Sequence, residues 1–185
     1  MELTISNTQF LTRRTDALQY TRRFRHRDRF LELCRECPNF GNRWGCPPFD
    51  DNPQPDLSLY KYVELYMIKV FVEPCVASSR QEMTSMMADV IQRVRKDYES
   101  RILDDERRLE GRAALFTGLC PHCPGDQCAR SAGRPCRHPD LVRPSLEALG
   151  FDLELTAREF FDTDILWASG SDAPGYICLV AALFF

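Results

Sequence analysis

The sequence predicts an α+β or α/β fold: a small mixed sheet carrying helices, with two cysteine-rich metal-binding loops at one sheet edge. Three observations carry this expectation. Runs 62–72 and 176–185 are rich in β-branched and aromatic residues and read as internal strands. A long amphipathic stretch between Ser79 and Gly111 reads as helix. Seven of the nine cysteines fall in two short loops, 34–46 and 120–136. The 185 residues suit one domain, so 1–185 is read as a single cysteine-rich unit.

Residues 1–33 are polar and carry Arg13, Arg14, Arg22, Arg23, Arg25, Arg27 and Arg29. Interleaved aromatic and acidic residues make this a solvated helix face in preference to a basic docking face. The first cysteine loop, 34–55, is held irregular by its prolines and by Gly41 and Gly45. Segment 56–119 reads as strand, helix, strand. Its first strand, Tyr62 to Val72, is apolar on both alternating faces in its middle and ends before Pro74. Ser79-x-x-Glu82 forms a capping box that opens the helix. The helix's apolar stripe runs through Met83, Met87, Val90, Val94, Tyr98, Ile102 and Leu109, with Gly111 as terminator. Asp104-Asp105-Glu106 is a candidate break within it.

Ala113 to Thr117 is expected as a second strand, parallel to the first across that helix. The second cysteine loop, 120–140, follows directly. In 141–185, Pro144 suits the first turn of a short helix Ser145 to Leu149, closed by Gly150. A second short helix is expected at 156–162, and a buried strand over 176–185.

A net charge of −3 excludes a general basic coat for nucleic acid. The longest apolar run, Tyr176 to Phe185, has ten residues, too few to span a bilayer. The first residues lack the basic and apolar regions of an export signal. The expected location is therefore the reducing cytoplasm, where thiols serve as ligands or as buried apolar groups.

Cys34-x2-Cys37-x8-Cys46 forms the first group, and Cys120-x2-Cys123-x4-Cys128-x7-Cys136 the second. A C-x-x-C pair sets two thiolates on one tight turn, within reach of one metal centre. The second loop offers four thiolates, a complete ligand set. Zinc favours paired C-x-x-C knuckles, and neither group has a second such pair. Cys37-Pro38, Cys46-Pro47, Cys120-Pro121 and Cys123-Pro124 follow the Cys-Pro habit of ferredoxin runs. Iron–sulfur is thus preferred for the second loop, with zinc as the alternative. The cofactor expected is one or two 4Fe-4S clusters.

The first group is one ligand short. Cys75 is either a fourth ligand or a small buried residue, and a single centre drawing on both loops stays open. Cys178 lies in an apolar strand and is read as core. His122 and His138 are substitute ligands or, preferably, exposed loop residues. Arg134, Arg137 and Arg143 flank the second loop and would stabilise a net-negative cluster there. Phe40, Trp44 and Phe49 either shield the first site or anchor the core. Asp50, Asp51 and Glu147 are considered for proton transfer and read instead as surface carboxylates.

Cys34-Arg35-Glu36-Cys37-Pro38 through Trp44-Gly45-Cys46-Pro47-Pro48 resembles the C-x-x-C…W-x-C-P-P signature of a prokaryotic, cysteine-rich family of predicted metal-binding proteins (domain of unknown function 2284). The second half of that pattern stands at Cys120-x2-Cys123, Cys128, Cys136-Arg137-His138-Pro139 and Arg143 to Asp152. The resemblance spans about residues 20–185. It implies metal held by Cys34, Cys37, Cys46, Cys120, Cys123, Cys128 and Cys136, and supplies no reaction. Cys75 and Cys178 are not part of it.

The leading functional expectation is an iron–sulfur protein that exchanges electrons with a redox partner protein through the second loop. The first alternative is an enzyme whose three-cysteine cluster keeps an open iron. The second is a zinc-stabilised interaction module. A homodimer contact through the loops is entertained; no membrane or nucleic-acid partner is expected. Nucleotide and flavin fingerprints, H-E-x-x-H and a Ser-His-Asp arrangement are not found.

Overall fold

From Leu65 to Ile68 every residue is buried, so this strand has a core on each face. The computed structural model describes residues 2–50, 53–123, 127–168 and 170–185. Asp51 and Pro124, singled out above, lie outside them. The strands are β1 (Ile5–Asp16), β2 (Tyr62–Val72), β3 (Arg112–Ala114) and β4 (Tyr176–Phe184), in sheet order β1-β2-β4-β3. Each pairing is antiparallel, which corrects the expected mixed sheet and makes the fold α+β. β2 and β3 do run in the same direction, as expected. They are not neighbours, because β4 lies between them. That strand is buried along almost its whole length and takes a central position.

Residues of β2 and β4 alternate between two cores. Ile68, Val70, Leu179 and Ala181 face α3 (Arg80–Leu109), where Met83, Val90 and Ile102 are fully buried. Leu65, Met67, Val180 and Phe184 face α1 (Ala17–Phe24) and α4 (Leu153–Phe161). Among the described residues, no helix is long and apolar enough to cross a membrane.

The polar N-terminal segment is not simply a solvated helix face. Residues 5–16 form β1, an edge strand paired with β2 from Ile5↔Val72 to Asp16↔Tyr62. Its many exposed positions give it a polar composition and hide its period. Asp16 then caps α1, accepting from the Gln19 amide at 2.8 Å. The helix α2 (Arg27–Arg35) follows and carries Cys34 in its last turn.

Ser79 does cap α3, accepting from the Glu82 amide at 3.1 Å. The Glu82 carboxylate reaches back to Ser78 instead of Ser79. The acidic cluster does not break the helix. Asp104 and Asp105 pair outward with Arg107 and Arg108, while Glu106 turns inward to the Ala113 amide and Arg143. Gly111 is required by a close approach: a Cβ there would lie 2.5 Å from the Phe184 carbonyl oxygen.

Two further expectations shift. The second strand is shorter than 113–117; beyond β3, Leu115 bridges to Ser145. Ser145 to Leu149 makes turns and no helix, because Gly150 at φ +92 ends the winding after one Leu149-to-Ser145 hydrogen bond. This turn docks on the α1–α2 junction through His26 N to Gly150 O, 2.7 Å, and Asp152 N to Phe24 O, 2.9 Å. A Cβ on Gly150 would lie 2.8 Å from the Arg27 Cα, in a left-handed conformation. Gly150→Ala is therefore expected to destabilise the fold by about 2 kcal/mol or more, read as a lower midpoint in urea.

Candidate metal centres

Successive tight turns build the first thiol group. The Cys37 amide donates to Cys34 O at 3.0 Å and the Phe40 amide to Cys37 O at 3.0 Å. Gly41, at φ +70, donates to Pro47 O at 2.8 Å and folds the chain back so that Cys46 rejoins the pair. Cys34, Cys37 and Cys46 all line one cavity of about 470 Å³. Burial raises the Cys34 thiol pKa, with Glu147 and Cys37 adding to the effect. Burial pushes Cys46 up to about 11, with Cys37 and Cys34 contributing.

The second group is held from below by α3. Gln92 and Arg95 both donate to Leu119 O, at 3.1 and 2.7 Å, and fix the chain entering Cys120. Beyond the turn, Ser131 returns to Cys128 O and Arg137 donates to Gln127 O at 3.0 Å. Cys120, Cys123, Cys128 and Cys136 together line a small hollow of about 10 Å³. Burial raises Cys120 and Cys136, and each is raised further by other members of the group. His122 and His138 line the same hollow with ring centroids 6.2 Å apart. Burial lowers the His122 pKa, followed by His138 and Arg95.

The donor chemistry fits a thiophilic metal or cluster: a soft set of three thiols and a soft set of four. Among the described residues, no three His, Cys, Asp or Glu side chains close on a point that one ion would occupy.

One arginine ties the groups together. Arg130, on a short 3-10 turn Ala129–Ala132, donates to the carbonyls of Arg43, Cys46 and Pro48 at 3.0, 2.7 and 2.6 Å. It also lies 5.1 Å over the Trp44 ring, whose indole N–H donates to Arg134 O at 3.0 Å. Gly45 completes the contact, since a Cβ there would sit 3.2 Å from Arg143 O. Neither the spacing nor the composition singled out Arg130; a guanidinium two residues after Cys128 was its only trace.

Other residues fall where burial sends them. Phe40 lines the first cavity, Trp44 lines the second hollow, and Phe49 packs on the core beside α1. Cys75 lines neither; its carbonyl accepts from Ala173 at 2.8 Å and it packs beside the α3 core. Cys178, half-buried in β4, packs against the opposite core, and burial pushes it up to about 11. Arg143 binds Glu106 through Nε and Nη2, one edge of its guanidinium, at 2.7 to 3.0 Å. Asp50 is exposed. Glu147 is no surface carboxylate: it lines the first cavity and accepts from Thr117 Oγ1 at 2.7 Å. Burial holds its carboxyl above the ordinary range. Thr117, beyond β3, is what holds the Glu147 carboxyl in place.

A comparison with curated proteins and with solved structures gives no match to either. The family model described as predicted metal-binding protein (DUF2284) matches residues 20–184, and the chain belongs to that family.

Proposed function

From that metal-binding family and from thiols gathered as a three and a four, we propose an iron–sulfur protein with two centres. Cys120, Cys123, Cys128 and Cys136 hold a closed cluster, and Cys34, Cys37 and Cys46 hold one with an open side. When bound, such clusters supply one-electron transfer and, at the open side, an iron position for a ligand. The observation that carries the reading is the separate gathering of the thiols: four line one hollow, and three line a different cavity of about 470 Å³, the size of a small-molecule site.

The chain's own groups then divide the work. Phe30 and Phe40, both half-buried, give the cavity an apolar wall, with the exposed Leu33 beside them. Glu147, oriented by the Thr117 hydroxyl that donates to it, sets a buried carboxyl acceptor within the same cavity. Trp44 covers one side of the four-thiol hollow, and Arg134 and Arg137 lend positive charge to that loop. A partner protein that exchanges electrons with the closed centre belongs to this reading.

The test is iron, zinc and acid-labile sulfide per chain on protein purified without oxygen, with visible spectra before and after dithionite. The proposal predicts about eight irons and eight sulfides and an absorbance that bleaches. About four of each would remove one centre. Zinc without sulfide or colour would replace the proposal with a zinc-stabilised module.

A further inference from the structure

The first cavity carries information on its ligand's charge. Its wall is largely apolar, with Phe30, Leu33, Phe40, Leu119, Leu153 and Trp167 contributing. Among the described residues lining it, Arg29 is the one cation, and it is already engaged: it lies 3.4 Å from Asp152 Oδ2 and 5.3 Å over the Phe30 ring. Arg95 stands behind the wall at Gly118, where a Cβ would meet its guanidinium at 2.8 Å. That guanidinium is bound to Glu99 at 2.7 Å and to Leu119 O.

The acceptors are of the opposite kind. Glu147 faces the cavity with only Thr117 donating to it. Glu154 stands at the wall beside Trp167, whose indole donates to it at 2.7 Å. Among the described lining residues, an anion entering here would lose its hydration and meet three carboxyl groups, Glu147, Asp152 and Glu154, against one cation that is already paired. A molecule that brings its own donor would find Glu147 waiting for it.

We infer that this cavity binds a small, mainly apolar, hydrogen-bond-donating molecule, cationic or neutral, and excludes carboxylates and phosphates. The inference rests on reading the cavity as the open side of the three-thiol centre, and it names the ligand class of that site.

Three probes of one skeleton test it by equilibrium dialysis against the metal-loaded protein: 1-naphthylmethylamine as cation, 1-naphthylmethanol as neutral, 1-naphthylacetate as anion. The amine is expected to bind about tenfold or more tighter than the acetate, with the alcohol between. Glu147→Gln should shrink the amine's advantage severalfold without changing iron or sulfide content. Ala148→Phe, which fills the cavity, should weaken the binding of every probe. Acetate binding as tight as the amine's, no binding of any probe, or binding indifferent to Ala148→Phe overturns the inference. Metal content of the same samples separates the two readings. Charge order in protein without iron would sink the centre and keep the ligand class. Iron without charge order would do the reverse.

Discussion

Arg95→Met is expected to lower stability by about 3 to 5 kcal/mol, the largest effect of any single change outside the apolar core. Arg95 and Glu99 are both about 4% exposed and pair at 2.7 Å, one turn apart on the buried face of α3. Arg95 donates to Glu99 Oε1, and Oε2 has no hydrogen-bond partner among the described residues. Removing the guanidinium leaves a buried carboxylate unmatched and frees Leu119 O at the entrance to Cys120. Burial already holds the Glu99 carboxyl above its ordinary pKa, and Arg95 is what opposes this. A raised carboxyl pKa adds stability below the unfolded value and loses it as pH rises through the folded one. The variant's deficit against the parent should therefore be larger at pH 8 than at pH 4, in urea unfolding. Arg95→Met with Glu99→Leu should recover much of the loss, since an apolar pair leaves no charge behind. An equal deficit at both pH values would contradict the assignment.

Arg130→Ala is expected to strip metal from the three-cysteine group, with a loss of about 2 kcal/mol in stability. The side chain is a single tie from the second loop to three carbonyls of the first, Cys46's among them. Without it those acceptors turn to solvent and the loop that carries Cys46 loosens. Arg130→Lys should rescue little, because a point charge cannot span acceptors that a planar fork reaches together. Iron per chain, measured beside the parent, should fall by about half in both variants. Retention of full iron in Arg130→Ala would reduce Arg130 to a surface contact.

Much of this organisation was legible in the residues. The long helix, the two internal strands and the short helix near 156 were readable because buried periodicity and caps are local signals. β1 was not, since an edge strand with half its residues in water carries a weak pattern. The antiparallel order was not readable either: it depends on where β4 inserts, and no local residue encodes that. The two thiol groups followed from spacing. The unequal space around them did not, because it arises from α2, the Gly150 turn and Trp167 meeting across more than a hundred residues. Arg95 and Glu99 could have been noticed as charges four apart on an apolar stripe. Glu147 could not, for its carboxyl is held by Thr117, a partner 30 residues away in sequence.

The central claim is that seven cysteines make two separate centres. The most direct measurement is iron and sulfide per chain in two variants purified without oxygen: Cys34, Cys37 and Cys46 all changed to Ser, and Cys120, Cys123, Cys128 and Cys136 all changed to Ser. Two centres predict that the first variant keeps about half of the parent's iron, with sulfide in equal amount and a spectrum that still bleaches. Loss of all metal from both variants would mean one shared centre and would contradict the account.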